Sequence, residues 1–208
     1  MGITLKNIKT SITGIVHIGA GTITEASDYD TIFKGPIYWF EATEESFLIG
    51  KENIKSYPNM EVFNVVLSDE NEEIDFFMTT NEHNERSSSS LLPLKEHLNL
   101  HPKVKQGETR KVMARKFDDF MQEKEIDLKD VNIAIVDVQG AELKVLHGMQ
   151  THLFKNVNEI IVEVNLREMY EDNPKPEDIE IYLTSFGFKK INEVQISTGQ
   201  AEQHYTKE

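Results

Sequence analysis

Apolar positions along the chain follow two rhythms. Short β-branched runs alternate with segments whose apolar residues recur at helical spacing, the pattern of strands joined by crossover helices. Gly14 to Ile18 is the first such run; Gly19-Ala20-Gly21 follows, and then Ile23, Ala26, Tyr29 and Ile32 share one helix face. Strand, glycine turn and helix are predicted there. A second strand, Ile37 to Phe40, ends at Glu41, and the next helix carries Phe47, Leu48 and Ile54 before the breaker Tyr57-Pro58-Asn59. Val62 to Leu67 reads as strand three, closed by Ser68-Asp69. The acidic turn from Glu70 to Glu73 leads into Ile74 to Met78, predicted to pair back as a hairpin.

Residues 79 to 110 lose this regularity. They hold Ser87 to Ser90, Pro93, Pro102 and Gly107 without a long apolar period, and read as an excursion above the sheet. Phe117 opens a short amphipathic helix with Phe120 and Met121 inward. Val131 to Val138 is the most apolar run, and Ile133-Ala134-Ile135-Val136 lacks alternation, so it is expected at the sheet centre with helices over both faces. Ala141, Val145, Leu146, Met149 and Leu153 form a helical stripe interrupted at Gly148, and Glu159 to Asn165 is the next strand. Pro176 suits a helix's first turn, Ile179, Leu183 and Phe186 its inner face, and Gly187 its stop. Phe188 to Ile196 and Gln203 to Thr206, separated by Thr198-Gly199, predict a closing hairpin. The whole is an α/β chain, read as one domain over residues 1 to 208.

Composition narrows the function. With 22 Lys and Arg against 36 Asp and Glu the formal charge is −14, which disfavours nucleic acid and anionic membranes as partners. One local reversal, Lys103 to Lys116, holds six basic residues and one acid, Glu108; it either receives an anionic substrate or balances acidic faces. The chain has no Cys, which removes disulfides, thiolate zinc and a Cys nucleophile. No secretory core or spanning segment is read, and a reducing cytoplasm is the expected location.

The candidate chemistry lies at the strand tips. Val16-His17-Ile18-Gly19-Ala20-Gly21-Thr22 stands where an open parallel sheet binds ligands, and its glycines let backbone approach a ligand closely. Glu41, about 20 residues on at the end of strand two, is placed to accept ribose hydroxyls. Ser68 and Asp69 at the end of strand three are either a turn start or acceptors beside an adenine. Asp137 is either a functional carboxylate or a cap for the next helix. Glu142 is favoured in that helix's first turn by the dipole alone. Glu163 interrupts an apolar strand and needs a partner or a purpose. Gln139 and Asn165 are possible hydrogen-bond donors, and His83, His97 and His101 are placed in the excursion. No pair has metal-ligand spacing, and no metal is expected.

The segments Val16 to Gly21, Tyr38-Trp39-Phe40-Glu41-Ala42, and above all Ile135-Val136-Asp137-Val138-Gln139-Gly140-Ala141-Glu142 with Val145-Leu146-His147-Gly148 resemble the FkbM family of S-adenosylmethionine-dependent methyltransferases. Ile161 to Asn165, Met169-Tyr170 and Phe186-Gly187-Phe188 are similar to its closing segments. The resemblance implies a Rossmann-like class I methyltransferase fold with a mostly parallel seven-stranded sheet. It also implies S-adenosyl-L-methionine as cofactor and a hydroxyl of a saccharide or small-molecule natural product as acceptor. The expected cofactor residues are His17, Gly19, Ala20, Gly21, Glu41, Ala42, Ser68, Asp69, Asp137 and Gln139, and the expected catalytic residues are Asp137 and Glu163. The sequence departs from the family at His17, where Asp is usual, at Thr22-Ile23-Thr24, at Ile135 and at Gln139. Two alternatives remain beside this one: a nicotinamide-dinucleotide oxidoreductase and a catalytically silent nucleoside-binding module.

Overall fold

The computed structural model of the chain describes residues 2–81 and 86–207, apart from the side chains of residues 153 and 154. A short 3-10 turn, Leu5–Asn7, precedes β1 (Ile15–Ile18), α1 (Ala26–Ile32), β2 (Ile37–Glu41), α2 (Glu44–Asn53) and β3 (Met60–Asn64). Then come β4 (Val66–Leu67), β5 (Glu73–Thr80), α3 (His97–Leu100), β6 (Lys105–Arg115) and α4 (Phe117–Glu123). The chain closes with β7 (Ile133–Val136), α5 (Glu142–Gly148), α6 (Gln150–Lys155), β8 (Glu159–Asn165), α7 (Pro176–Ser185), β9 (Lys189–Gln195) and β10 (Gln200–Thr206).

Seven strands form the main sheet in the order β3-β2-β1-β7-β8-β10-β9. The pairs from β3 to β8 are parallel, and β10 runs antiparallel to both its neighbours. The chain winds outward from β1 to β3 and then returns to lay β7 on the other side of β1. That reversal opens a crevice at the carboxyl ends of β1 and β7, where open sheets bind ligands. β7 is the central strand and is buried along its whole length, as its unalternating apolar run predicts.

Strand alternation sends apolar residues into two cores. Val16, Ile18, Phe40 and Val136 pack under Phe117 and Phe120 of α4, Val145 and Leu146 of α5, and Ile179 and Leu183 of α7. Ile15, Ile37, Trp39, Ile133 and Ile135 face the other way, with Ala26 of α1, Ile54 and Leu5. Helices thus cover both faces, and each fully buried aliphatic or aromatic side chain contributes about 1.5–3 kcal/mol. Among the described residues no helix is long and apolar enough to cross a membrane.

Three expectations are corrected. The predicted strand Val62 to Leu67 is two strands: β3 ends at Asn64, and the two-residue β4 leaves the main sheet to pair with β6. Ile74 to Met78 does not pair back onto that strand. It lies within β5, whose antiparallel partner is β6, from Glu73 opposite Met113 to Thr80 opposite Lys105. Residues 105 to 110, read as part of an irregular excursion, belong to β6, and most of that strand's residues are exposed. A strand without a buried face has no apolar alternation to reveal it. Arg110 of this strand meets Glu45 and Glu108, Lys111 meets Asp75 and Arg115 meets Glu123, and Lys116 just beyond it meets Glu70. They balance local acidic faces.

Candidate active site

The glycine turn after β1 is fastened to its neighbours on both sides. Gly19 has a φ of +89°, and a Cβ there would stand 1.6 Å from the Asp137 carbonyl oxygen, so only glycine lets the tips of β1 and β7 meet. The N–H groups of Gly19 and Ala20 both donate to the Phe40 carbonyl, at 2.9 and 3.0 Å. Gly21, at φ +54°, has open space where a side chain would be. Its N–H donates to Glu41 Oε2 at 2.8 Å. Helix α1 begins only at Ala26, later than its apolar period suggests, because Ile23 turns through a φ of +53° with its side chain buried.

Glu41 is 7% exposed, and burial raises its carboxyl above the usual range. Its Oε1 accepts from the Thr43 N–H at 2.8 Å and hydroxyl at 2.7 Å. Three of roughly four acceptor positions are therefore taken, leaving room at Oε2 for one further hydroxyl rather than two.

These groups wall a cavity of about 510 Å³ lined by Gly19, Ala20, Gly21, Glu41, Ala42, Asp137 and Gln139, with Val65 to Leu67 on the β3 side. Arg86, Ser87, Ser89 and Leu91 face it from the opposite direction. Its volume lies within the range of sites that enclose a nucleoside-sized ligand. Ser68 and Asp69 do not line it. With β3 ending at Asn64 they stand beyond β4 instead, where the Ser68 hydroxyl donates to Asp69 and Asp69 pairs with Lys144 at 3.3 Å. His17 lies outside it too. Its ring packs against Tyr29 and Trp39, Nδ1 meets the Tyr29 hydroxyl at 3.1 Å, and burial pushes its pKa down to about 4.

His17 instead lines a second cavity, of about 380 Å³, with Glu25, Asp28, Asp137, Glu163, Glu202 and the segment Ile3 to Lys6. Gly19, Glu25 and Asp137 belong to the walls of both cavities. The junction is held by Gln139, in the left-handed conformation at φ +59°. Its Nε2 donates to Asp137 Oδ1 at 2.7 Å and Glu163 Oε1 at 3.2 Å, its Oε1 accepts from the Tyr170 hydroxyl at 2.7 Å, and its carbonyl accepts from the Ser90 hydroxyl at 2.7 Å. Gln200 donates to Glu163 Oε1 at 2.6 Å. Burial pushes Asp137 up to about 6 and lifts Glu163 well above the carboxylate range, with the neighbouring Asp137 charge adding to the effect.

Glu142 is fully buried, and burial raises its pKa to about 7. Its Oε1 accepts from the N–H groups of Val138 and Gly140 at 3.1 and 2.9 Å, so Glu142 rather than Asp137 satisfies the donors that precede α5. Asn165, 2% exposed at the tip of β8, has no partner for either amide atom among the described residues. His97 is buried against Tyr170 and His101, and neither it nor His101 lines these two cavities. His83 lies outside the described residues. Tyr170 was read only as part of a family-like closing segment, and Gln200, Glu25 and Glu202 were not singled out by sequence. Gln200 and Glu202 reach the site only because β10 pairs with β8, which places Glu202 opposite Glu163.

A seven-stranded sheet with one reversed strand and a ligand-sized crevice over β1, β2 and β7 defines the class of S-adenosylmethionine-dependent methyltransferase folds. Fibrillarin of Aeropyrum pernix, solved with S-adenosyl-L-methionine, superposes with a TM-score of 0.56 at 12% identity, covering 95% of this chain and 67% of that one. Magnesium protoporphyrin IX methyltransferase of Synechocystis PCC 6803, also with the cofactor bound, gives 0.51 at 9% identity, covering 93% and 69%. At these identities the likeness is one of fold. Residues 17–190 match the model of the methyltransferase FkbM domain, and the chain belongs to that family. The 2-O-methyltransferase NoeI of Sinorhizobium fredii is 29% identical over 141 residues, 66% of this chain and 57% of that protein. The chain thus spans little more than half of that relative's length. Family and fold together imply S-adenosyl-L-methionine as cofactor, and the family sets aside the nicotinamide alternative.

Proposed function

We propose that the chain transfers the methyl group of S-adenosylmethionine to a hydroxyl of a saccharide or other small molecule. The observation that carries this reading is the pair of adjoining cavities, which meet at Gly19, Glu25 and Asp137. The larger cavity suits the cofactor: its glycine turn brings bare backbone to the ligand, and Glu41 Oε2 retains capacity for a ribose hydroxyl. When bound, the cofactor supplies an electrophilic methyl on a sulfonium. The smaller cavity takes the acceptor.

In this reading the residues place more than they activate, since holding two reactants at near-attack distance removes much of a bimolecular barrier. Asp137 stands at the shared wall, where it orients the reacting ends, and Glu163 faces the acceptor side. With the methyl supplied by the bound cofactor, the acceptor hydroxyl would have to give up its proton. Asp137 and Glu163 are the carboxylates placed to receive it. A saccharide, with hydroxyls beside apolar ring faces, fits a wall where Glu25, Asp137, Glu163, Glu202 and His17 stand among Leu5, Ile135 and Ile161. The name of the NoeI relative supports oxygen as the methylated atom. The net charge of −14 and the pairing of Arg110, Lys111, Arg115 and Lys116 with acids argue against a polyanionic acceptor.

Labelled S-adenosylmethionine incubated with the chain and a panel of saccharides and hydroxylated small molecules tests the proposal. Label appears in an ether product, and Asp137→Asn lowers turnover by about 10²-fold or more while changing S-adenosylhomocysteine affinity only a few fold. Tight cofactor binding with no product across the panel would favour the silent module.

A further inference from the structure

Gln139 stands in the turn between β7 and α5 in a backbone conformation that suits glycine better, at φ +59°, and Gly140 follows it at φ +99°. Strain of this kind persists where the surroundings over-determine it, and it clusters at functional sites. Four hydrogen bonds hold Gln139. Ser90 fixes its carbonyl, Tyr170 donates to its Oε1 at 2.7 Å, and its amide nitrogen donates to Asp137 Oδ1 at 2.7 Å and Glu163 Oε1 at 3.2 Å. Both amide hydrogens are therefore spent on carboxylates, and none is left for the cofactor although Gln139 lines the cofactor cavity.

Tyr170 is held so that one hydroxyl reaches this turn. It is fully buried beside Leu94 and Met169, its ring lies 5.5 Å from that of His97, and its N–H donates to Asn173 Oδ1 at 3.0 Å. A Cβ on Gly140 would stand 2.8 Å from the Tyr170 ring, so the bare backbone there lets the ring lie against the turn. Burial raises the Tyr170 hydroxyl well above its ordinary range and keeps it a donor at neutral pH. With Oε1 engaged by that donor, the Gln139 amide presents its nitrogen to the two carboxylates. They depend on it unequally. Glu163 Oε1 also accepts from Gln200 at 2.6 Å, whereas Gln139 is the only hydrogen-bond partner of the Asp137 carboxylate among the described residues.

We propose that Tyr170 is a positioning residue: it acts through Gln139, whose amide nitrogen holds the Asp137 carboxylate, at the wall shared by the two cavities, in its proton-accepting form. The charges that face Asp137 oppose that form. Glu25 before α1, Glu41 of β2, Glu142 of α5, Glu163 of β8 and Glu202 of β10 are acidic, and Lys6 is the one Lys or Arg on the wall of the smaller cavity. His17 of β1, its pKa pushed down to about 4 by burial, is neutral near pH 7. Burial and neighbouring acids raise the Asp137 carboxyl, and the Gln139 donor lowers it. Removing the amide, or the hydroxyl that aims it, therefore leaves the carboxyl protonated to a higher pH and unable to take the acceptor's proton. That last consequence rests on the methyl-transfer reading; the hold on Asp137 does not.

Carboxyl-carbon NMR titration of the full chain labelled at aspartate tests the hold directly, the Asp137 signal being assigned by its loss in Asp137→Asn. Tyr170→Phe removes one oxygen, and Gln139→Met keeps the side chain's length without its amide. Each raises the Asp137 midpoint by about half a unit or more, Gln139→Met by the larger shift, and thermal unfolding verifies that each variant is folded. Tyr182→Phe, which removes a hydroxyl bonded to the Leu146 carbonyl at 3.2 Å, leaves the midpoint unchanged. A midpoint unmoved in whichever of the first two variants folds, or moved as far in Tyr182→Phe, overturns the proposal. Raised midpoints in a chain that binds S-adenosylhomocysteine but forms no labelled product across the acceptor panel would keep the hold on Asp137 and remove the methyl-transfer reading instead.

Discussion

Gly19 shows how much a single residue governs. Its φ of +89° and the carbonyl 1.6 Å from an added Cβ mean that Gly19→Ala must push apart the tips of β1 and β7. Left-handed strain and overpacking together are expected to cost about 3 kcal/mol or more, and S-adenosylhomocysteine affinity should fall more than tenfold. Gly21→Ala meets open space and should cost only about 1 kcal/mol. Urea unfolding and calorimetry on the two variants check the contrast; equal losses would refute the close approach. His152 offers a residue-scale test of pH dependence. It is buried against Phe117, and desolvation lowers its pKa to about 4 from the 6.5 of an exposed histidine. The folded state therefore binds fewer protons than the unfolded one between these values, so this residue's share of stability is present above pH 6.5 and is lost as pH falls toward 4. His152→Gln should gain roughly 2–3 kcal/mol relative to the parent between pH 7 and pH 4. A pH-independent difference between the two unfolding curves would contradict this. At this scale the glycines and Glu41 were legible because strand-tip chemistry is local in sequence. The bridge from Gln139 to Glu163 and the reach of Gln200 to the same carboxylate were not, because each depends on pairing of strands far apart in sequence.

Elements with a buried face were legible and those without one were not. β8 matched its predicted bounds because Ile160, Ile161, Val162 and Val164, apolar on both faces, announce a covered strand even with Glu163 among them. α7 was marked by Pro176 and Gly187, the latter at φ +85° just past its end. β6 escaped notice because most of its residues are exposed and carry no apolar period, and β4 because two residues of a second sheet follow β3 after a single intervening Val65. That miss displaced Ser68 and Asp69 from the adenine position they were expected to take. Hydrogen exchange separates these elements physically. Amides of β7 and β8, in the fully buried sheet centre, should exchange only with global unfolding, and those of β6, exposed along most of its length, faster by local opening. Equal protection of β6 and β7 would contradict this account of the second sheet as a peripheral layer.

For the whole molecule, the arrangement that matters is the reversal of strand order between β1 and β7. It sets the glycine turn, Glu41 and Asp137 around one cavity and leaves Asp137 and Gly19 as the wall shared with a second. The sequence resemblance anticipated the family and the main sheet; it did not anticipate that His17 belongs to the second cavity, since both cavities open at the same strand tip. Membership of the FkbM domain family and the shape of the crevice agree on one ligand. Calorimetry of the full chain with S-adenosylhomocysteine is the most direct check. The account predicts saturable binding at one site per chain, abolished or weakened more than tenfold by Gly19→Ala, with no comparable heat from a nicotinamide dinucleotide. No binding of S-adenosylhomocysteine by the folded parent, or binding unaffected at Gly19, would contradict it.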